Sequence, residues 1–248
     1  MNNEIEKIKK ITDKIDGWTT LKERKLLYNL AKNCAGKGVI VEIGSCKGRS
    51  TVCLGTGLRK GKIYSIDPFV KDYNLEPDSD LYFHKVIKDR TLFGSNLEEF
   101  KKNIREAEFD DVVVIPIVDL SETVAQGFNE PVELIFIDGG HDYDYVKQDF
   151  ELWFPKVIDG GIMAFHDTNR WPGPKKVVEE FIYKSKNFRN VGFVDSITFA
   201  EKVKQNSVKD RLRNRYILLL KNIYTSTAKL NLPSPIRRIG KKLLTLIK

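Results

Sequence analysis

Side chains able to do chemistry crowd into two short stretches of this sequence. FIDGGHD, at 136–142, carries Asp138 and His141, and AFHD, at 164–167, carries His166 and Asp167. Two of the chain's three histidines therefore sit close to aspartates, while the third, His84, lies in a long polar segment. Carboxylates suit a hard divalent cation, and imidazole beside them suits proton transfer at neutral pH. A lone histidine is more often structural; two in matching positions beside Asp point to a site. Asp142, Asp144 and Asp149 read differently, as acids that start or decorate a following helix.

A third stretch, VEIGSCKGRS at 41–50, ends an apolar run and opens a helix. It lacks the Gly-Lys-Ser/Thr ending of a phosphate-binding Walker loop. It also lacks the dinucleotide pattern, because Cys46 stands where a glycine would let the backbone approach a pyrophosphate. Glu42, just before Gly44, would repel a phosphate-bearing cofactor and could accept from an ammonium group or backbone amides. S-adenosylmethionine (SAM) has no phosphate and carries an ammonium and a sulfonium, so it fits this loop better than NAD does.

These stretches need elements to hold them. GVIVEIG, KIYSID, VVVIPIV, VELIFID and GGIMAFHD are β-rich apolar runs. Helical patterns lie between them: about 49–59, SNLEEFKKNIREA with Ser95 as N-cap, DYVKQDFELWFPKV and KKVVEEFIYKS. VGFVDSITFAEKV reads as a hairpin turning at Asp195–Ser196. The expected fold is α/β: a doubly wound, mostly parallel, seven-stranded sheet with an antiparallel edge, followed by a C-terminal helical extension. Such sheets bind ligands beyond the carboxyl ends of their strands, which selects Gly44–Ser50, Asp67–Phe69, Asp138–His141 and His166–Asp167.

VEIGSCKGRST resembles the first motif of class I SAM-dependent methyltransferases, and YSIDPF resembles the second. The resemblance implies that Glu42, Gly44, Ser45, Gly48 and Ser50 embrace the methionine part of SAM and that Asp67 takes both ribose hydroxyls. It places adenine contacts at Asp119 and Ser121 in IPIVDLSETV, where the alternative is a helix cap. FIDGGHDYDYVKQDFELWFPKVIDGGIMAFHD resembles the branch acting on sugars, macrolide sugars and related natural products. That branch shows D-G-x-H after the fourth strand and H-D or D-D after the fifth. The resemblance runs from about Gly38 to Ala200 and implies a divalent cation, usually magnesium, at Asp138 and Asp167. His166 stands where relatives often carry a second acid, and it completes the expected ligand set, although imidazole is a poorer magnesium ligand.

A sugar hydroxyl has a very high pKa, so a bound cation and a neighbouring base would make its deprotonation feasible. His141 is the expected base, with Asp138 as competitor. Arg170 and Trp171, in TNRWPGPKK, are expected at the acceptor mouth, under a lid formed by the long segment from Phe69 to Asn96. The expected activity is SAM-dependent O-methylation of a sugar hydroxyl, including that of a lipid-linked or surface glycan. The alternatives are a natural-product O-methyltransferase and a non-catalytic SAM-fold binding protein at a membrane or RNA.

With 41% hydrophobic and 31% charged residues, a soluble globular class is expected. No apolar run reaches 18 residues and the N-terminus is polar, so neither a spanning helix nor a signal peptide is expected. The three cysteines form no CxxC and suit a reducing compartment, read as the cytoplasm. The net charge of +8 is uneven: residues 201–248 hold 13 Lys/Arg against 2 Asp/Glu, so the remaining body is slightly acidic. The organisation expected is an N-terminal helical segment (1–35), the methyltransferase domain (36–202) and a basic amphipathic tail (203–248). In PIRRIGKKLLTLIK the apolar and basic residues take opposite arcs of a helix. An anionic membrane surface at the inner face of the cell membrane is the preferred partner of the tail. Docking on the body or a homo-oligomer is the alternative, and nucleic acid ranks lower.

Overall fold

The computed structural model describes residues 2–70 and 90–229. Most of the expected lid, with His84, and the segment PIRRIGKKLLTLIK lie outside the described residues. Strands β1 (Val39–Ile43), β2 (Gly61–Asp67), β3 (Val112–Val118), β4 (Val132–Ile137), β5 (Val157–Phe165), β6 (Phe188–Val194) and β7 (Ile197–Lys202) form one sheet. Its order is β3-β2-β1-β4-β5-β7-β6. The first five strands run parallel, and β7 lies antiparallel between β5 and β6. The expected edge hairpin is present, with Asp195 left-handed at its turn.

Helices α1 (Asn2–Thr12), α2 (Leu21–Lys32), α3 (Arg49–Gly57) and α4 (Leu97–Ala107) precede β3. Then come α5 (Ser121–Gly127), α6 (Tyr143–Trp153), α7 (Pro172–Val177, continued by a π-helical turn to Tyr183) and α8 (Val208–Lys229). Strand alternation divides the core into two layers. Val41, Ile43, Ile135 and Ile137 pack with Phe150, Trp153 and Val177 on one face, while Ile40, Leu134 and Phe136 pack with Leu27, Tyr28 and Leu54 on the other. Each such buried aliphatic side chain contributes about 1.5–3 kcal/mol.

Several boundaries differ from the sequence reading. Asn96, not Ser95, precedes α4, and it makes no side-chain cap. Helix α6 stops at Trp153, and Phe154–Lys156 form a 3-10 turn because Pro155 has no amide proton to continue the ladder. Ile8, Leu27, Tyr28 and Ala31 of the N-terminal helices belong to the core layer beneath α3. The first part of the tail also docks on the body. Ile217 joins the main core, Asn214 donates to the Phe188 carbonyl at 2.9 Å, and Lys221 is buried.

Candidate active site

The carboxyl ends of β1, β2, β4 and β5 open into a cavity of about 290 Å³. Its floor is the turn after β1. Gly44 and Gly48 are left-handed, with φ of +84° and +89°. A Cβ on Gly44 would lie 1.9 Å from the Asp138 carbonyl oxygen, so only glycine lets this turn cross the tip of β4. Asp67, at the end of β2, accepts the Cys46 amide at 2.8 Å and the Phe69 amide at 2.5 Å. Burial pushes its carboxyl up to about 6 against these two hydrogen bonds. Gly44, Ser45, Ser50, Asp67, Asp119 and Ser121 border the cavity, whereas Gly48 lies against Phe100 and Ile104 outside its lining.

Glu42 does not border it. Alternation along β1 turns its side chain toward α3, fully buried. There Oε2 accepts from Ser45 at 2.7 Å, Thr51 at 2.5 Å and Ser65 at 3.3 Å. Burial raises its pKa, with the three loop and helix hydroxyls of Ser50, Thr51 and Ser45 opposing. Glu42 thus braces the loop from behind. Ser121 also has a structural duty: it is the first residue of α5 rather than its cap, and its hydroxyl accepts the Trp153 indole N–H at 2.8 Å. Asp119 Oδ1 accepts its neighbour's amide, Leu120 N–H, at 2.8 Å and lies 3.5 Å from Arg90.

The β4 and β5 tips converge. Asp138, His141 and Asp167 each present a ligand atom, all within 4.8 Å of one another. His141 Nε2 is 3.1 Å from Asp167 Oδ2, and its ring stacks on Trp171 at 4.5 Å between centroids and 13° between planes. Asp167 is left-handed, at φ +56°. A Cβ on Gly173 would strike the His141 carbonyl at 2.1 Å, so the loop carrying Trp171 fits tightly against the loop carrying His141.

His166 is buried behind the two carboxylates. Its Nδ1 lies 3.0 Å from Asp138 Oδ1 and 3.1 Å from Asp167 Oδ2, and its Nε2 lies 3.7 Å from Glu23 Oε2. These are ion-pair contacts, since neither ring nitrogen makes an aligned hydrogen bond. Burial disfavours the imidazolium, but Asp138, Asp167 and Glu23 together raise His166 well above its ordinary value. Asp138, His141 and Asp167 form one donor set, and His166 lies against the two carboxylates from behind. Burial raises Asp138, opposed by His166; burial also acts on Asp167, yet His141 and His166 hold it well below the carboxylate range. Two carboxylates and one imidazole fit a divalent cation of the borderline kind at least as well as magnesium.

Three contributors were not legible beforehand. Glu23 accepts the Ser196 amide at 2.7 Å and hydroxyl at 2.6 Å, as well as the Thr20 amide at 2.7 Å. Its only sequence signal is Thr20-x-x-Glu23, a capping box, which the structure also realises. Asp149 is buried within α6 at the cavity wall rather than decorating a helix start, and burial lifts it to about 7 despite a hydrogen bond with Ser121. Residues 16–19, between α1 and α2, bring Trp18 to the cavity, 62% exposed. Arg170 and Trp171 are at the cavity as expected.

A family model described as a methyltransferase domain matches residues 41–168, more than half of the chain. An uncharacterized protein of Acanthamoeba polyphaga mimivirus is 26% identical over 227 residues, covering 86% of this chain and 93% of its own. An uncharacterized protein of Sinorhizobium fredii is 26% identical over 133 residues, which are 52% of this chain and 13% of that protein. Among solved structures, the O-methyltransferase NovP superposes with a TM-score of 0.56 at 17% identity, over 74% of this chain and 81% of its own. TomG of Streptomyces achromogenes, an O-methyltransferase solved with SAM, gives 0.53 at 16% identity over 82% and 91% of the two chains. MycE, solved with Mg and S-adenosylhomocysteine, gives 0.52 at 15% identity over 83% and 56%. At these identities the likeness is one of fold.

Proposed function

The chain belongs to the methyltransferase domain family and folds as a class I SAM-dependent methyltransferase, and we propose that it methylates a hydroxyl of a sugar-containing acceptor. The carrying observation is that Asp138, His141 and Asp167 converge at the same cavity that Gly44 and Asp67 border. SAM lies across the β1 and β2 tips, with its ribose hydroxyls donating to Asp67 and its adenine toward Asp119. The acceptor enters beside Trp171 and Arg170. Its oxygen attacks the methyl carbon, the carbon–sulfur bond breaks toward sulfur, and the hydroxyl proton passes to Asp138, or to His141 when its imidazole holds no cation. S-adenosylhomocysteine and a methyl ether leave. Attack requires oxygen and carbon at near-attack distance, which rigid strand tips provide. Asp138, His141 and Asp167 would hold a divalent cation, whose chemistry is to lower the pKa of a nearby hydroxyl.

Trp18 and Trp171 at the cavity suit the apolar face of a sugar ring. The names of the structural relatives favour a second acceptor class, the hydroxyl of a small natural product. Incubation with methyl-labelled SAM, followed by mass spectrometry of glycolipids, polysaccharides and small hydroxylated compounds, separates the two. Asp138→Ala is expected to abolish transfer while SAM binding, measured calorimetrically, persists within about threefold. A variant that kept its activity would overturn the site, and label found only on nitrogen would overturn the hydroxyl acceptor.

A further inference from the structure

Helix α8 has two dissimilar sides. One is docked: Asn214, Ile217 and Lys221 are buried, and Lys221 Nζ donates to Thr168 at 2.7 Å and Thr198 at 2.8 Å. The other is bare. Val208, Leu212, Tyr216, Leu219 and Ile223 are 63%, 65%, 52%, 56% and 51% exposed, and they supply five of the eight exposed large hydrophobics among the described residues. Their spacing of four, four, three and four residues sets them on one arc of about 80°, at about 100° per residue. The stripe is about 22 Å long, at 1.5 Å per residue.

Both borders of the stripe are basic. On the same wheel Arg211 and Arg215 flank one edge, and Lys209 and Arg213 flank the other. The helix has one acid, Asp210; it turns toward the body side and accepts from the Ser207 hydroxyl at 2.6 Å. An apolar stripe with a cationic margin on each side and no acid matches the boundary between anionic headgroups and acyl chains. A second copy of this chain fits worse, because pairing the two stripes would bring like-charged margins together. RNA fits worse again, because phosphate contact gives no reason for five large apolar side chains in a row. The nineteen residues after Lys229 continue the charge, with five Lys/Arg and no Asp/Glu.

We propose that the outer face of α8 docks the enzyme on an anionic lipid surface, the helix lying in the surface plane between bilayer and catalytic domain. Among the described residues no helix is long and apolar enough to cross a membrane, and the attachment proposed is peripheral. The proposal does not depend on which acceptor is methylated; it would place the cavity beside a lipid-linked one.

The test uses the full chain and phosphatidylcholine vesicles with or without about one third phosphatidylglycerol. Wild type is expected to float with the anionic vesicles, to float poorly with the neutral ones and to lose binding as salt rises. Leu212→Glu with Leu219→Glu, both at exposed positions, should weaken anionic-vesicle partitioning about tenfold or more while SAM binding is unchanged. Lys209→Glu with Arg215→Glu should do the same through charge. Absence of wild-type binding, equal binding to neutral vesicles, or a Leu212/Leu219 variant binding within twofold of wild type would each overturn the proposal. A wild-type dimer that ignores vesicles and dissociates in the Leu212→Glu variant would reassign the face to a second copy, and retention on RNA alone would reassign it to nucleic acid.

Discussion

Oε2 of Glu23, on α2, lies 3.7 Å from Nε2 of His166, at the tip of β5, and both side chains are almost wholly withdrawn from solvent. One carboxylate thereby joins the N-terminal helices, the β6–β7 turn through Ser196, and the charged centre behind Asp138 and Asp167. Removing it strands a buried imidazolium and two amides. Glu23→Ala is expected to cost about 3–5 kcal/mol in urea unfolding. Burial would raise Glu23, but contacts from His166, Ser196 and the Thr20 amide outweigh it and hold it at about 2, against 4.5 unperturbed. A lowered folded-state value gives stability that is complete above about pH 4.5 and is lost as pH falls toward 2. Acid unfolding of Glu23→Gln should lack that component.

Asp67 has the opposite sign. Burial lifts its carboxyl to about 6 from 3.8. An ionised carboxylate accepts both ribose hydroxyls better than the neutral acid does, so donor affinity should strengthen as pH rises through about 6. Calorimetry from pH 5 to 8, at about half-unit steps, should show this slope in wild type and a flat, weaker profile in Asp67→Asn. For the free protein the raised value means that stability falls as pH rises from about 3.8 to about 6 and is flat above, so Asp67→Asn should melt no lower than wild type at pH 8.

Gly44 and Gly36 separate two reasons for glycine. Both are left-handed, but a Cβ on Gly36 meets nothing within 4 Å, whereas one on Gly44 meets the Asp138 carbonyl. Gly36→Ala should lose about 1 kcal/mol, the conformational penalty alone. Gly44→Ala should lose more and also weaken SAM binding by about tenfold or more, because relief of the clash must move either the loop or the β4 tip. Thermal unfolding and calorimetry of the pair check both expectations.

Lys221 is a buried cation whose hydrogen-bond partners are two threonine hydroxyls. Burial pushes it down to about 7 from 10.5. For a base this means the unfolded chain binds more protons between those values, so stability should rise with pH from about 7 to 10.5. Lys221→Met keeps the packing volume, and Thr168 and Thr198 still bond each other at 2.8 Å. The variant should be at least as stable as wild type at pH 7, with a flatter pH dependence between 7 and 10 in thermal unfolding.

The period of the apolar residues and the turn chemistry determined by themselves the succession of strands and helices along the chain and the strand tips that border the cavity. A parallel sheet must bury both faces, and its strand tips are where glycines and acids then accumulate. Gly44, Asp67, Asp138, His141 and Asp167 are legible for that reason. What only the tertiary structure decided is which way side chains face once elements pack. Strand alternation turns Glu42 away from the cavity that its loop borders, and close packing of α2 against the β5 tip sets the buried Glu23 carboxylate beside His166. Thr20-x-x-Glu23 states a local cap; it carries no information about a histidine brought beside it by the chain's long-range folding. Helix α8 shows the same limit, because the sequence composition announces a basic amphipathic segment, whereas docking through Asn214, Ile217 and Lys221 selects which apolar residues are buried and which five are left at the surface.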